Sequence, residues 1–284
     1  MLETDTLGRA TFHAIAPRAD IAPTERDIRW MKHIERHGPL SSVHLFEVTR
    51  DTHRCKDTTL RRLQALRAAD FLYLPKQQQR ACERAEFRPY VYELAPRGQL
   101  FLKDSGLAEN TVRPTGHWWH IAETAAFTAH LDLEARRRGF RYIPAHEILG
   151  RAGASLAIPL GPRKLIPDQL FAIDYGGLFR AFMVEVDRGT EPIASTSTRK
   201  SWRSSLAQYD AVFSGGLANK HYGLNAPIAV LWVHRTDARQ SAFQRLLGKS
   251  HCRLANRHLA CAPTEGEPRF VGAHSTPFDL WDPT

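Results

Sequence analysis

Two strand-like runs meet across Tyr175-Gly176-Gly177, and no other stretch restricts the fold so tightly. Ile166 to Asp174 forms one run and Leu178 to Asp187 the other, and glycines between such runs mark a hairpin turn. Side chains alternate along a strand, so Glu185 and Asp187 share one face while Phe182, Val184 and Val186 take the opposite one. Antiparallel pairing returns Asp168, at the start of the first run, to the end of the second. Three carboxylates are therefore expected together at one end of the hairpin.

Carboxylates gathered in this way repel one another, and a divalent cation neutralises them most directly. Hard oxygen donors favour magnesium or manganese, ions that hold a phosphate and activate water for in-line attack. Ordinary salt bridges to Arg180, Arg188 and Lys200 are the competing explanation.

The elements around the hairpin follow from periodicity. His117 to Arg138 reads as one long helix that Gly139 ends. After the hairpin, Ser195 to Ser201 can start a helix through Trp202, Leu206, Tyr209 and Phe213. Pro227 to Val233 is a nearly continuous apolar run, the pattern of a strand buried on both faces. Arg239 to Leu247 supplies a final amphipathic helix, which completes an α-β-β-α-β order.

The N-terminal half reads differently. Thr24-Glu25-Arg26-Asp27 resembles a capping box ahead of Ile28, Met31 and Ile34, and Gly38-Pro39 closes that helix. A short second helix runs through Val43, Leu45 and Phe46. A third covers Thr58 to Arg67, where leucines at every third position are expected to turn Arg61 and Arg62 away from the core. Strands at Phe71–Leu74 and Tyr90–Leu94 would flank a basic tip from Lys76 to Arg88. Three helices followed by a two-stranded wing is the order of a winged helix-turn-helix. The closing Tyr92-Glu93-Leu94-Ala95-Pro96-Arg97-Gly98 resembles the Y-x-L-T-x-x-G ending of many bacterial winged-helix domains. In such domains the third helix enters the major groove, which makes Lys56, Arg61, Arg62 and Arg67, with Arg54 beside them, the candidates for DNA contacts.

Net charge agrees with a polyanionic partner. Lys and Arg total 39 against 30 Asp and Glu, an excess of +9. No apolar run approaches the roughly 20 residues of a membrane span, so no membrane association and a cytoplasmic location are expected. Cys55, Cys82, Cys252 and Cys261 are scattered, which fits a reducing compartment. His251, Cys252, His258 and Cys261 match none of the standard zinc-finger spacings. None of the 14 histidines stand two apart, so the His-hydrophobic-His metal motif of rolling-circle relaxases is missing.

Pro167-Asp168 followed by Glu185-Val186-Asp187 resembles the core of the PD-(D/E)XK nuclease superfamily. The longer phrase Phe182 to Glu191, with its Glu-x-Asp-x-Gly-Thr-Glu signature, is similar to the replication-relaxation family of plasmid and mobile-element proteins. That resemblance runs from about Thr24 to about Leu247. It implies a mixed α/β (α+β) chain with a flexible arm over 1–22, a winged helix over 23–104, a PD-(D/E)XK nuclease-like domain over 115–262 and a tail over 263–284. It further implies double-stranded DNA as partner and magnesium or manganese as cofactor of an active enzyme. Asp168 and Glu185 would bind the metal, Glu123 on the long helix would offer another acid, and Gln208-Tyr209 would lie near DNA.

One departure stands out. The position usually held by lysine is Asp187, and Lys200 at the start of the next helix is the candidate replacement. Two readings remain open at this level. One is a metal-dependent nuclease or nickase using Asp168, Glu185, Asp187 and Lys200. The other is a non-catalytic DNA-binding replication accessory or transcriptional regulator whose degenerate nuclease fold serves homodimer formation or partner docking.

Overall fold

The computed structural model describes residues 21–52, 55–78, 89–109, 111–189, 191–195, 200–250, 255–264, 267–271 and 278. The chain divides into two compact units, Met1–Leu133 and Glu134–Thr284, and its mixed α/β class is the one expected.

In the first unit, helix α1 (Glu25–His37) starts where Asp27 reaches back to Thr24, whose backbone N–H and hydroxyl each donate to Asp27 Oδ2 at 2.7 Å. These bonds close the helix start that the sequence implied. Trp30, Met31 and Ile34 point into the core and are fully buried. Strand β1 (Leu40–Ser41) leads to α2 (Ser42–Val48), whose first turn is capped by Ser41 Oγ accepting from the His44 N–H. The Trp30 indole ties α1 to α2 by donating to the Leu45 carbonyl at 2.7 Å and the Thr49 hydroxyl at 2.8 Å.

Helix α3 (Lys56–Ala68) corrects one expectation. Its buried stripe is Thr59, Leu63 and Leu66, whereas Leu60 is 36% exposed. A spacing of three drifts around a helix of 3.6 residues per turn, so Thr59, Leu63 and Leu66 hold one face where Leu60, Leu63 and Leu66 cannot. Arg62 falls at the edge of the true stripe, three residues after Thr59, and is drawn inward instead of turned away.

Strands β2 (Leu72–Tyr73) and β3 (Val91–Leu94) complete a small antiparallel sheet of order β1-β3-β2, with Leu40 opposite Tyr92 and Leu72 opposite Leu94. Helix α4 (Pro96–Asp104) then crosses so closely that a Cβ on Gly98 would stand 2.3 Å from the Phe71 carbonyl oxygen. Only glycine fits there, which gives a physical reason for the glycine closing the Tyr92–Gly98 segment. Helix α5 (Trp118–Arg137) adds Ala125, Ala129 and Leu133 to the same core.

Among the described residues, the second unit is built on a sheet of six strands. These are β4 (Arg141–Pro144), β7 (Gln169–Asp174), β8 (Phe179–Asp187), β9 (Ile228–His234), β10 (His258–Thr264) and β11 (Glu267–Val271), in the order β11-β10-β9-β8-β7-β4. A separate two-stranded ribbon pairs β5 (Ile158–Leu160) with β6 (Arg163–Leu165). Helices α6 (Ala145–Ala152), α7 (Trp202–Ser214), α8 (Leu217–Tyr222) and α9 (Asp237–Lys249) complete the unit. The β7-β8 hairpin is antiparallel, while β8-β9 and β9-β10 are parallel. Every residue of β9 is buried, as its apolar run implied. Phe171 stacks between Tyr142 and Phe182 on neighbouring strands, and Trp232 packs against Phe243 of α9. Phe171, Phe182 and Phe243 are fully buried, and each stabilises the unit by roughly 1.5–3 kcal/mol. That packing fixes the strand register that positions the acids at the sheet end. The sheet runs past residue 262, since β11 lies within the segment read as a tail.

Candidate active site

The hairpin register sets the site. Gln169 pairs with Val184, so Asp168 comes level with the Glu185 end of β8. The Asp168 N–H donates to the Val184 carbonyl at 2.9 Å, and Asp168 Oδ2 accepts the Val186 N–H at 2.7 Å. Backbone on both sides thereby holds this carboxylate at the sheet end.

Glu185 is 2% exposed, and both α7 and the residue ahead of its cap reach it. Lys200, immediately before the Ser201 cap of α7, donates from Nζ to Glu185 Oε2 at 2.6 Å. Tyr209, fully buried on α7, donates from its hydroxyl to Glu185 Oε1 at 2.5 Å. Burial raises the Glu185 carboxyl to about 7, and the Asp168 charge adds to the rise against the pull of Lys200. Burial works against the Lys200 ammonium, but the charges of Glu185, Asp168 and Glu191 outweigh it and raise its pKa. Burial and the neighbouring Glu185 push the Tyr209 phenol well above its ordinary range.

Two residues along the same strand, Asp187 meets the opposite surroundings. It is 3% exposed and accepts from Arg239 Nε at 2.7 Å and from the Gly189 N–H at 2.9 Å, with His234 Nδ1 at 3.3 Å. Burial alone would raise its carboxyl. The bonds from His234, Arg239 and Gly189 prevail and hold it below the usual carboxylate range. Arg239 is itself fixed, donating to the Glu191 carbonyl at 2.7 Å and lying 4.6 Å from the Trp202 ring centre.

Asp168, Glu185 and Lys200 thus meet at one sheet end, while Asp187 is bound to the start of α9 and the end of β9. Glu123 is exposed on α5 within the first unit; the carboxylates described above all belong to the second. Tyr209, expected near a surface that meets DNA, is enclosed against Glu185. Glu191, 3.5 Å from Lys200, is a further acid beside the site, and it ends the Glu-x-Asp-x-Gly-Thr-Glu signature. The roles of His234 and Arg239 had no local sequence signal, because they depend on β9 lying beside β8.

The basic candidates of the first unit separate into two kinds. Lys56 and Arg61 are exposed on α3, with Lys56 6.0 Å from the Phe46 ring centre. Arg62 instead donates to buried Asp27, with Nη2 to Oδ2 at 2.6 Å, and to the Ala22 carbonyl at 2.9 Å. Arg67 is half-buried near Tyr90 and Tyr92, and burial lowers its pKa. Arg54 and positions 79–88 of the expected wing lie outside the described residues, as do His251 and Cys252. Among the described residues, no helix is long and apolar enough to cross a membrane.

Comparison with known families supplies the context for this arrangement. A model described as Replication-relaxation matches residues 31–228, from α1 to the first residue of β9. The chain belongs to the replication-relaxation family. The match takes in α3 and the whole β7-β8 hairpin, so both candidate sites lie inside the family's own segment. Membership suggests a role in the replication or relaxation of plasmids or mobile elements. No curated protein and no solved structure matches the chain.

Proposed function

We propose that this replication-relaxation protein is a cytoplasmic, metal-dependent DNA nuclease or nickase. Its second unit would carry a PD-(D/E)XK-like site, and its first unit, read as a winged helix, would hold double-stranded DNA. The observation that carries this reading is the meeting of Asp168, Glu185 and Lys200 at the end of β7 and β8, with Lys200 2.6 Å from Glu185.

The donor set suits a hard dication. Two carboxylates face one site, and the raised proton affinity of Glu185 reflects burial and negative charge that a cation would relieve. Asp168 and Glu185 would hold magnesium or manganese, which when bound supplies charge to a phosphate and lowers the pKa of water. Lys200 keeps its ammonium protonated and is placed to stabilise charge developing on phosphate oxygens. Tyr209 fixes the rotamer of Glu185 through Oε1. Asp187, held by Arg239 and His234, acts as a positioning residue that pins the strand end carrying Glu185.

For DNA contact, the exposed α3 face with Lys56 and Arg61 is the proposed surface, with Arg67 at its edge. Arg62 is withdrawn from it by Asp27. Supercoiled plasmid incubated with the full chain should be nicked with magnesium or manganese and left intact with chelator. Binding of duplex DNA should weaken as salt rises, and Arg61→Ala should lower both affinity and salt slope. Absent nicking alongside salt-sensitive binding would favour the non-catalytic DNA-binding role, and nicking that persists in chelator would refute the metal dependence.

A further inference from the structure

Within the first unit, α1 and α5 build a second cluster that owes nothing to the acids of the sheet. His33 and His37 stand four apart on α1, on one face of the helix, with their rings stacked 5.8 Å between centres. Asp132 comes from α5. One ring nitrogen from each histidine and one Asp132 oxygen all lie within 4.8 Å of one another, and the three residues are 5%, 2% and 4% exposed. We propose that His33, His37 and Asp132 form a binding site for a borderline dication of the zinc class, bracing α1 against α5.

The donor set points to that class of ion. Two imidazole nitrogens and one carboxylate oxygen suit zinc and its neighbours, whereas magnesium and calcium favour all-oxygen sites. Three protein ligands leave one tetrahedral position for water.

The surroundings allow the ligand form of His37. Its Nδ1 lies 3.0 Å from the Thr128 hydroxyl oxygen, and that hydroxyl stands 3.1 Å from the Thr124 carbonyl. With the Thr128 proton on the Thr124 carbonyl, Oγ1 accepts Nδ1–H. The Nε2 lone pair then faces Asp132 Oδ2, 3.1 Å away. A metal-bound histidine characteristically spends its other N–H in this way. Arg36 also donates to Asp132 Oδ2, at 3.0 Å, and competes with a cation for that oxygen. Its guanidinium is separately held by Glu109, at 2.9 and 2.7 Å, so Arg36 keeps a carboxylate partner when Asp132 turns to a metal.

The test uses the full chain, stripped with chelator and titrated with zinc chloride by calorimetry, with magnesium chloride as comparison. One zinc per chain is expected at this site, together with a higher melting temperature. Asp168→Ala should leave this zinc binding unchanged, which separates the site from the sheet-end acids. His33→Gln and Asp132→Asn should each weaken it by more than about 100-fold. Thr128→Val should weaken it by about 10- to 100-fold, the usual cost of removing a ligand's outer partner. Cobalt loading of wild type supplies a readout that does not depend on how the variants fold: the intense visible bands of tetrahedral cobalt are expected. Absence of stoichiometric zinc binding and of those bands in folded wild type would overturn the proposal, as would full zinc affinity in folded His33→Gln and Asp132→Asn.

Discussion

Glu185 and Asp187 stand two residues apart on one face of one strand, both almost wholly buried, and hold their protons in opposite ways. Near Glu185 the neighbours are one ammonium, one phenol and a second carboxylate. Near Asp187 they are a guanidinium, a histidine ring and a backbone N–H. Strand position fixes where a carboxylate goes, and the elements packed behind it decide what it can do. Burial and the Asp168 charge lift Glu185 to about 7 against the pull of Lys200 and Tyr209, whereas β9 and α9 commit Asp187 to ionisation and to structure.

The largest expected effect that could break this contrast is on cleavage. Glu185→Gln should reduce metal-dependent nicking by about 10³-fold or more while preserving the fold, as checked by circular dichroism. Lys200→Met should cost about 10²–10³-fold in nicking rate, measured at saturating metal. Asp187→Asn should act chiefly on stability, removing about 2 kcal/mol in denaturant titration. That figure is below the usual 3–5 for a broken buried pair because Arg239 is 28% exposed. Equal loss of activity and equal loss of stability in Glu185→Gln and Asp187→Asn would erase the distinction.

The pH dependence sharpens the contrast further. Metal binding needs ionised Glu185, so magnesium affinity should fall about tenfold per pH unit as pH drops below about 7. For stability, the raised folded pKa of Glu185 favours the folded state at low pH, and that contribution is lost as pH rises from 4.5 to about 7. His258 works the other way. Its Nδ1 accepts from the Trp232 indole at 3.0 Å, and burial lowers its pKa from 6.5 to about 4. The unfolded chain binds the extra proton in that interval, so His258 contributes stability above pH 6.5 that is lost as pH falls to 4, by at most about 3 kcal/mol. Glu185→Gln should therefore give a melting curve that rises more steeply with pH between 4.5 and 6.5 than wild type.

These cases also show what could be read in advance. The meeting of Asp168 with Glu185 follows from a period of two and one tight turn, both local properties of the chain. The same rule placed Asp187 on the Glu185 face but could say nothing of Arg239, which is 52 residues away and arrives only through the β8-β9 pairing. Arg62 was misplaced because a three-residue leucine spacing resembles a helical stripe without keeping to its period, and because its partner Asp27 lies on another helix. The His33 and His37 spacing is visible in the sequence, yet Asp132 is 95 residues from His37 and joins it only once α5 packs on α1. Local periodicity was legible, and partners brought together by tertiary packing were not.

The central claim is that the sheet-end acids hold a metal for phosphodiester cleavage, and Asp168→Ala tests it most directly. Wild type and variant would be compared for nicking of supercoiled plasmid with magnesium and with manganese, alongside their affinity for the same DNA. The expected result is loss of nicking in the variant with DNA affinity retained; nicking at the wild-type rate in Asp168→Ala would contradict the account.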